Sequence, residues 1–473
     1  MKIKLGAGKL TMSDVADYTG GMCIGLSDAC FEYICTDSRE AGNDTLFIAL
    51  RGQRVDGHSY ISVAYDSGCR CFLVEDKSYV PDDASAVAVA NSGRALIKIA
   101  EIYKSRVDCL RIGITGSVGK TTTKEFVAAV VSQAYRTHKT FGNYNSTIGM
   151  PLTLMETPEC TQVSILEMAM SGLGEISQMS IAAQPNITVI SNIGSSHMEA
   201  LGSKDNILKA KLEILDGLAL DGHVIINGDD KLLNYQKYLK ENVIRVGIQN
   251  SFADYIAYNI RIQDKHTVFD VKCKDFTWLD IKIPVIGEHN VYAALIAIAV
   301  SGIIGMNETA VRNGLSSYVN AGLRQNIIDM GGITVIEDCY NASPESMRAA
   351  LRVLCSLKRP DGRCTALLGD MLELGQQSNE FHSDIGEFVA EHSIELLFTI
   401  GNLSMHIADG AIRHGMKAEN VFVNSDSQNY ERTAHDIWQQ LRPGDVLLVK
   451  ASRGIRAERV IEQLKAFAVA DNK

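Results

Sequence analysis

The stretch Gly113–Glu125, GITGSVGKTTTKE, constrains the fold of this chain more than any other feature of its sequence. Gly116 and Gly119 allow the backbone to turn tightly and to point N–H groups at an anion. The dipole of a helix that begins at Lys120 would add to this attraction. The Lys120 ammonium could then reach the outer phosphates of a nucleotide, and the hydroxyl of Thr121 is a suitable Mg²⁺ ligand. These features predict a phosphate loop.

The loop departs from the commonest pattern, in which a glycine also stands at the position of Ile114. A glycine-rich turn without a ligand is the alternative interpretation. The residues Gly-Lys-Thr-Thr lie directly between a predicted strand, LRIGIT, and a predicted helix, and this placement favours a nucleotide site. The loop alone does not separate a kinase, a GTPase and a ligase.

Short apolar runs alternate with helical segments along most of the chain, which predicts mostly parallel sheets. The stretch Tyr255–Pro284 alternates without helix signals and predicts antiparallel strands at one sheet edge. A length of 473 residues suits about three domains. We therefore expect an α/β protein with three domains: a small N-terminal α/β domain (1–106), a central phosphate-loop ATPase domain with a parallel sheet and an antiparallel edge (107–318), and a C-terminal Rossmann-like domain (319–473).

One helix start is well marked near residue 343. Ser343 can cap the helix, and Pro344 occupies a first-turn position where a missing N–H costs nothing. Met347, Leu351 and Leu354 would then share one face and pack against a core.

Composition and charge exclude several classes of protein. A net charge of −10 argues against a nucleic-acid binder, although local lysines and helix N-termini could still hold anionic substrates. The N-terminal residues MKIKLGAGKLTMSD lack the apolar core of a signal peptide, and Val291–Met306 is too short to span a bilayer comfortably. Eleven cysteines without metal-type spacing indicate reduced thiols. We expect a cytoplasmic enzyme that neither binds nucleic acid nor inserts into a membrane.

Two predicted strands end in residues that could bind a metal. Glu167 ends the run QVSILEM, and His197 follows NITVISNI in a loop. Ligands gather at the carboxyl ends of strands in open α/β sheets. A carboxylate suits Mg²⁺, whereas the spacing of His197 does not separate a metal ligand from a surface loop histidine.

Lys211 lies within an apolar stripe, because Ile207, Leu208, Ile214 and Leu215 stand three and four positions away. Periodicity alone favours a snorkelling lysine whose ammonium reaches water. The alternative is a buried amine whose lowered pKa lets it react with CO₂. The resulting carbamate could bind Mg²⁺ as a carboxylate does.

Several stretches together resemble the Mur ligase family, and the resemblance covers nearly the whole chain. They are TGSVGKTTTKE (115–125), NYNSTIGMPLTLM (143–155), LEMAMSGLGEI (166–176), NIGSSHMEALGS (192–203), AKLEI (210–214), GEHNVYAAL (287–295), EDCYNASPESM (337–347), LGDMLELG (368–375) and VKASRGIRAERV (449–460). The last three discriminate most, because family members that add earlier amino acids differ there. The compact phosphate loop resembles the form that this family uses.

The resemblance implies roles for individual residues. It implies that ATP is bound by Thr115, Gly116, Ser117, Val118, Gly119, Lys120, Thr121, Thr122, Asn290, Arg324 and Asp338. It implies Mg²⁺ binding by Thr121, Glu167, His197 and a carbamylated Lys211, and catalytic roles for Lys120, Glu167, His197 and Lys211. It implies substrate binding by Ser38, Gln53, Asn143 and Asn145. A plain helix N-cap is the alternative role for Asn290.

The family resemblance also implies an activity. A ligase of this kind would join D-alanyl-D-alanine to UDP-N-acetylmuramoyl-tripeptide through an acyl phosphate, with ATP and Mg²⁺, and would give the pentapeptide precursor of peptidoglycan. We expect a monomer. Three alternatives stay open: a related ligase that adds the third amino acid, a folate-polyglutamate-type ligase, and a nucleotide-dependent switch that binds a partner protein. The stretches CYNASPESM and LGDMLELG argue against the first two.

Overall fold

A computed structural model describes residues 1–52, 55–234, 242–263 and 265–471. Within these residues most strands belong to three large sheets, which follow one another along the chain. Helices accompany each sheet, so the predicted α/β class with three units is confirmed. We call these the first, central and third units.

The first unit has a six-stranded sheet in the order β1-β5-β6-β7-β8-β3, and a separate pair of strands, β2 and β4. Its strands are β1 (Lys2–Lys4), β2 (Leu10–Thr11), β3 (Met22–Ile24), β4 (Cys30–Phe31), β5 (Tyr33–Cys35), β6 (Thr45–Ile48), β7 (Cys71–Val74) and β8 (Ser85–Ala88). Its helices are α1 (Met12–Thr19), α2 (Ile61–Asp66) and α3 (Ser92–Tyr103). The four inner strands are parallel, and the two edge strands β1 and β3 pair antiparallel.

The central unit has a nine-stranded sheet in the order β10-β11-β9-β12-β13-β14-β15-β16-β17. Its strands are β9 (Leu110–Thr115), β10 (Thr137–Lys139), β11 (Val163–Glu167), β12 (Ile187–Ile190), β13 (His223–Asn227), β14 (Val243–Gly247), β15 (Tyr255–Gln263), β16 (His266–Cys273) and β17 (Thr277–Ile283). Its helices are α4 (Lys120–Val131), α5 (Gly149–Glu156), α6 (Glu175–Ala183), α7 (Met198–Leu201), α8 (Lys204–Leu212), α9 (Lys231–Asn234), α10 (Glu288–Ile303) and α11 (Glu308–Ser316). The last three strands pair antiparallel, which confirms the predicted edge.

The third unit has a six-stranded sheet in the order β18-β19-β23-β20-β21-β22. Its strands are β18 (Asn326–Met330), β19 (Ile333–Asp338), β20 (Cys364–Gly369), β21 (Leu396–Ile400), β22 (Val421–Asn424) and β23 (Val446–Lys450). Its helices are α12 (Pro344–Ser356), α13 (Ser378–Glu391), α14 (Met405–Arg413), α15 (Tyr430–Gln440) and α16 (Glu458–Asp471). Five strands are parallel, and β18 pairs antiparallel with β19, which the sequence did not predict.

Two helices illustrate how the sequence dictates local structure. Most of the apolar run Val291–Met306 lies in α10, most of whose side chains are excluded from water. The start of α12 has the predicted cap, because the Ser343 side chain accepts a hydrogen bond from the Ser346 N–H and Pro344 begins the helix. Within the described ranges, no helix combines the length and apolar character needed to cross a bilayer.

Candidate functional site

The phosphate loop lies where the order of strands in the central sheet reverses. Strand β9 has β11 on one side and β12 on the other, so the loop that follows β9 opens at a topological switch point. Gly116 has φ +146°, and a Cβ there would lie 2.0 Å from the Ser191 Oγ atom. Gly119, with φ +82°, precedes the first residue of α4. Both positions therefore need glycine, one for close packing and both for their backbone conformation.

A cleft of about 470 Å³ opens beside this loop, between the central and third units. Among its lining residues are many that the sequence singled out: Ser117, Val118, Gly119, Lys120, Thr121, Thr122, Asn145, Glu167, His197, Asn290, Arg324 and Asp338. Other predicted residues do not line it: Thr115, Gly116, Lys211, Ser38 and Asn143. Gln53 lies outside the described residues.

Lys120 turns back onto its own loop. Its ammonium donates to the carbonyl oxygen of Gly116 at 2.8 Å and faces that of Ser117 at 3.3 Å. Burial in the cleft lowers the pKa of Lys120, and the negative charge of Glu167 partly opposes that shift. The lysine is thus held at the place where outer phosphates of a nucleotide would lie.

Glu167 ends β11 and is only 1% exposed. Its Oε1 atom accepts hydrogen bonds from the Thr121 hydroxyl at 3.1 Å and from the Asn145 amide at 2.8 Å. Its Oε2 atom is buried without a hydrogen-bond donor among the described residues. A buried carboxylate oxygen without a donor is costly, and a bound cation would remove that cost.

Lys211 contradicts the interpretation that periodicity alone favoured. Its side chain is 0% exposed, so the ammonium does not snorkel to water. The Nζ atom has no hydrogen-bond partner among the described residues. Burial, followed by the nearby charge of Lys120, lowers the pKa of Lys211 well below its usual value. The periodicity of one helix does not show what packs over its face, and here the fold encloses the whole side chain.

His197 lies in the loop before α7 and adopts the left-handed conformation, with φ +65°. Its Nδ1 atom lies 2.8 Å from the Glu373 Oε2 atom of the third unit. The hydrogen bond from His197 lowers the pKa of Glu373. His197, which was predicted as a metal ligand, therefore links the central unit to the third unit in this structure.

The third unit contributes charged side chains to the opposite wall of the cleft. The Arg324 guanidinium donates to the Thr121 hydroxyl at 3.1 Å and stacks over the Tyr340 ring, 4.1 Å from its centre. Asp338 ends β19 and accepts a hydrogen bond from the Lys450 ammonium at 2.6 Å. The family resemblance implies that Arg324 and Asp338 bind the nucleotide, and both line the cleft.

Asn290 is not a helix N-cap, which was the alternative role for it. Helix α10 begins at Glu288 after Gly287, so Asn290 lies inside the first turn and is not the N-cap. Its amide donates to the Ile286 carbonyl oxygen and to the Gln325 side chain, each at 3.0 Å. The amide therefore ties the helix to the segment that leads into the third unit.

Among the lining residues that were not predicted, Lys450 and Glu345 have charged side chains. Lys450 ends β23 next to Asp338, and its stretch VKASRGIRAERV was recognised only as a family feature. Glu345, in the first turn of α12, accepts hydrogen bonds from the Ser195 N–H at 3.0 Å and from its hydroxyl at 2.9 Å. Lys450 could have been found from its position at a strand end. The role of Glu345 could not, because its contact with Ser195 depends on the packing of two units.

The described part of the chain contains no group of three or more His, Cys, Asp and Glu side chains placed to hold a metal ion. A cation beside Glu167 would need other oxygen donors. The Thr121 hydroxyl is already adjacent, and nucleotide phosphates supply the remainder in many Mg²⁺ sites.

Family sequence models match three consecutive parts of this chain. The model described as "Mur ligase family, catalytic domain" matches residues 31–108, "Mur ligase middle domain" matches 114–301, and "Mur ligase, glutamate ligase domain" matches 323–453. Together these matches cover most of the three units.

Similar proteins and structures span almost the full length. The UDP-N-acetylmuramoyl-tripeptide–D-alanyl-D-alanine ligase of Bacillus subtilis is 36% identical, over 96% of this chain and 98% of that protein. A crystal structure of MurF from Acinetobacter baumannii has a TM-score of 0.88 at 26% identity, covering 98% of this chain and 100% of the other. MurF ligase from Thermotoga maritima in complex with ADP has a TM-score of 0.80 at 26% identity, covering 93% and 98%.

Proposed function

Because this chain belongs to the Mur ligase family, we propose that it joins D-alanyl-D-alanine to UDP-N-acetylmuramoyl-tripeptide with cleavage of ATP to ADP and phosphate. It is an ATP-dependent ligase. The observation that carries the proposal is the cleft in which Lys120 and Glu167 face Arg324 and Asp338 of the third unit. Two relatives named for this substrate pair are 36% and 32% identical to it over nearly its whole length.

The reaction proceeds in two steps in this proposal. The terminal carboxylate of the tripeptide attacks the γ-phosphorus of ATP, the bond to the β-phosphate oxygen breaks, and ADP leaves. The amine of the dipeptide then attacks the acyl carbon of the mixed anhydride, and the tetrahedral intermediate expels phosphate. The dipeptide's ammonium group loses one proton to solvent before it attacks as the amine, and the second proton, lost as the amide forms, leaves on the phosphate as HPO₄²⁻. An acyl phosphate hydrolyses in water, so a closed cleft protects the intermediate.

The chain's own residues supply positive charge and alignment. Phosphoryl transfer depends on charge neutralisation and in-line placement of the reacting atoms more than on covalent help. The Lys120 ammonium and the N–H groups at the start of α4 would hold the β- and γ-phosphates. Arg324 lies against Thr121 and would approach the γ-phosphate from the third unit.

Residues in and beside the cleft fit the Mg²⁺ ion that ligases of this kind use. The unpartnered Glu167 Oε2 atom and the Thr121 hydroxyl would hold one ion, and His197 and a carbamylated Lys211 would hold a second. Mg²⁺ would neutralise charge on the transferred phosphoryl group. The buried and unpartnered Lys211 amine supports carbamylation, because its nitrogen lone pair is free to bond to CO₂ with loss of a proton.

Other parts of the proposal concern the remaining units. The domain limits 1–106, 107–318 and 319–473 enclose one large sheet each, which supports them. Ser38, Gln53, Asn143 and Asn145 are proposed to bind the muramoyl peptide, and the Asn145 contact with Glu167 supports a place for that residue near the reacting carboxylate. We also propose a monomer in the cytoplasm.

Phosphate release measured with defined substrates tests the function. We expect release only when ATP, UDP-N-acetylmuramoyl-tripeptide and D-alanyl-D-alanine are all present, with one amide formed for each phosphate. The Lys120→Ala variant serves as the control for contaminating ATPase activity. Turnover with UDP-N-acetylmuramoyl-dipeptide and a single amino acid, but not with the tripeptide pair, would instead establish a ligase that adds the third residue.

A further inference from the structure

Lys124 is a buried cation that the proposed reaction does not use. It follows the phosphate loop in α4, and its side chain is only 1% exposed although it ends in an ammonium. Lysine is almost never fully buried unless it is paired. The contacts of Lys124 therefore indicate what its charge is for.

The ammonium of Lys124 connects three parts of the site. It donates to the Thr140 carbonyl oxygen at 2.8 Å and faces the Gly142 carbonyl oxygen at 3.5 Å. It also lies 3.1 Å from the Glu125 Oε1 atom and 3.7 Å from the Glu167 Oε2 atom. The first two contacts hold the segment that leads to Asn145, whose amide binds the other oxygen of Glu167.

The Glu167 contact is the informative one. The Oε2 atom of Glu167 is the oxygen without a hydrogen-bond donor, and the Lys124 ammonium is the cation that forms an ion pair with this oxygen. At 3.7 Å the ammonium attracts the carboxylate but leaves the oxygen lone pairs available. The backbone N–H of Glu167 also donates to the Thr140 hydroxyl, on the residue that Lys124 holds through its carbonyl.

The local charges balance in a specific way. Lys124 and Lys139 are cationic, and Glu125 and Glu167 are anionic. Lys139 pairs with Glu125 from the surface, where its side chain is 44% exposed. Lys124 is thus the inner cation, and its removal would leave the buried Glu167 Oε2 atom without this compensating charge.

We infer that Lys124 is a positioning residue that fixes the Glu167 carboxylate and limits how tightly that carboxylate holds a divalent cation. This inference rests on the proposed function, because it takes Glu167 as a cation ligand. A fixed positive charge a few ångströms from the ligand oxygen repels the cation and so weakens its binding. Release of the cation with product would be slower without it.

A Mn²⁺ titration tests this role by a readout other than turnover. The full chain, saturated with a non-hydrolysable ATP analogue, is titrated with Mn²⁺, and free Mn²⁺ is followed by electron paramagnetic resonance. Lys124→Gln keeps an N–H donor but removes the charge, and we expect it to bind Mn²⁺ about tenfold more tightly. A residue with only a packing role would weaken binding on removal, or leave it unchanged.

Two further variants fix the sign of the effect. Glu125→Gln removes a negative charge beside Lys124, and we expect Mn²⁺ binding to weaken by about threefold or more. The double variant Lys124→Gln/Glu125→Gln restores the net charge, so its affinity should return close to that of the wild type. Lys139→Gln, which removes a charge at the exposed end of Glu125, is the control and should change the affinity by less than about twofold.

The outcomes separate this inference from the proposed function. A folded Lys124→Gln variant that binds Mn²⁺ as the wild type does, or more weakly, would overturn the role of Lys124 alone. If that variant does not fold, unchanged or tighter binding by Glu125→Gln would overturn it. Absence of Mn²⁺ binding by the wild type would remove the cation site itself, and the inference with it.

Discussion

At the scale of single residues, burial decides more than residue type. Lys124 and Lys211 are both among the largest fully buried side chains, yet one is surrounded by oxygen atoms and the other has no hydrogen-bond partner among the described residues. A charged amine without partners is costly in an apolar site, so Lys211 favours its neutral form. A neutral amine is a nucleophile, and an ammonium is not. The two lysines therefore support different chemistry.

Replacement of Lys211 tests the proposed carbamate. We expect Lys211→Ala to lower kcat by about a hundredfold or more, because a ligand for the second cation is lost. A short carboxylic acid such as acetate or propionate should restore part of the activity by occupying the vacated space. Steady-state phosphate release with and without the acid measures both effects.

Lys209→Ala provides the matched control for that experiment, since Lys209 lies on the same helix with an exposed side chain. It should keep wild-type activity and should not respond to the acid. Unimpaired turnover by Lys211→Ala in acid-free buffer would contradict the carbamate.

A partly buried histidine makes stability depend on pH. Burial lowers the pKa of His138, in β10, from its usual 6.5 to about 4. Between these values the unfolded chain binds a proton that the folded chain does not, so the free energy of unfolding falls as the pH decreases from about 6.5 to about 4. At about pH 5 the loss should be about 2 kcal/mol, and at about pH 7.5 it should be negligible.

Urea denaturation of His138→Gln measures this contribution. Relative to the wild type, the variant should lose about 2 kcal/mol less between about pH 7.5 and about pH 5. His435→Gln is the control, because its side chain is 62% exposed. Equal pH dependence in the wild type and His138→Gln would show that this histidine titrates normally in the folded protein.

At the scale of elements, the strand–loop–helix unit from β9 to α4 was predictable because its signals are local. Glycine spacing, an apolar strand and a helix-forming run all lie within a short stretch of chain. The cap of α12 was predictable for the same reason, and its buried face contains Met347, Leu351 and Leu354 as expected. Antiparallel β18 was missed although its signal is also local, because Gly331 and Gly332 form the two-residue turn that joins it to β19.

Substitution of Gly116 tests the packing of the phosphate loop. A Cβ atom at this position would lie 2.0 Å from the Ser191 Oγ atom, so the loop must shift in Gly116→Ala. We expect ATP affinity to fall by about a hundredfold, because the N–H groups no longer converge on the phosphates. Isothermal titration with a non-hydrolysable ATP analogue measures the loss.

A glycine that also has positive φ but open surroundings separates backbone strain from this clash. Gly415 has φ +99° and no atom within 4 Å of an added Cβ. Gly415→Ala should destabilise the protein by about 1 kcal/mol and leave ATP affinity unchanged. Full ATP affinity in Gly116→Ala would refute the packing argument.

At the scale of the whole molecule, contacts between the central and third units shape the cleft. Three of them reach the loops around the phosphate site: Glu345 to Ser195, Glu373 to His197, and Arg324 to Thr121. None of these pairs is close in sequence. Thr121, His197 and Arg324 were named from the sequence. Ser195, Glu345 and Glu373 were not, because their contacts depend on how two separate cores pack.

Glu345→Ala should weaken that association without unfolding either unit. It removes the acceptor for two hydrogen bonds from Ser195, so we expect kcat/KM to fall by about tenfold. Small-angle X-ray scattering with an ATP analogue should show a larger radius of gyration than the wild type. Glu387→Ala, whose ion pair with His414 lies within the third unit, should alter neither quantity. A wild-type radius and kcat/KM for Glu345→Ala would exclude a role for this contact in closure.

The resting position of Lys120 has a consequence for nucleotide exchange. Its ammonium already donates to carbonyl oxygens of its own loop, so these hydrogen bonds must break when a triphosphate binds. The net binding free energy is the difference between the new hydrogen bonds and the old ones. The same hydrogen bonds favour release of ADP, because the Lys120 ammonium then donates again to the loop carbonyl oxygens and is not left unpaired. This arrangement lowers the affinity for the nucleotide and speeds the release of product.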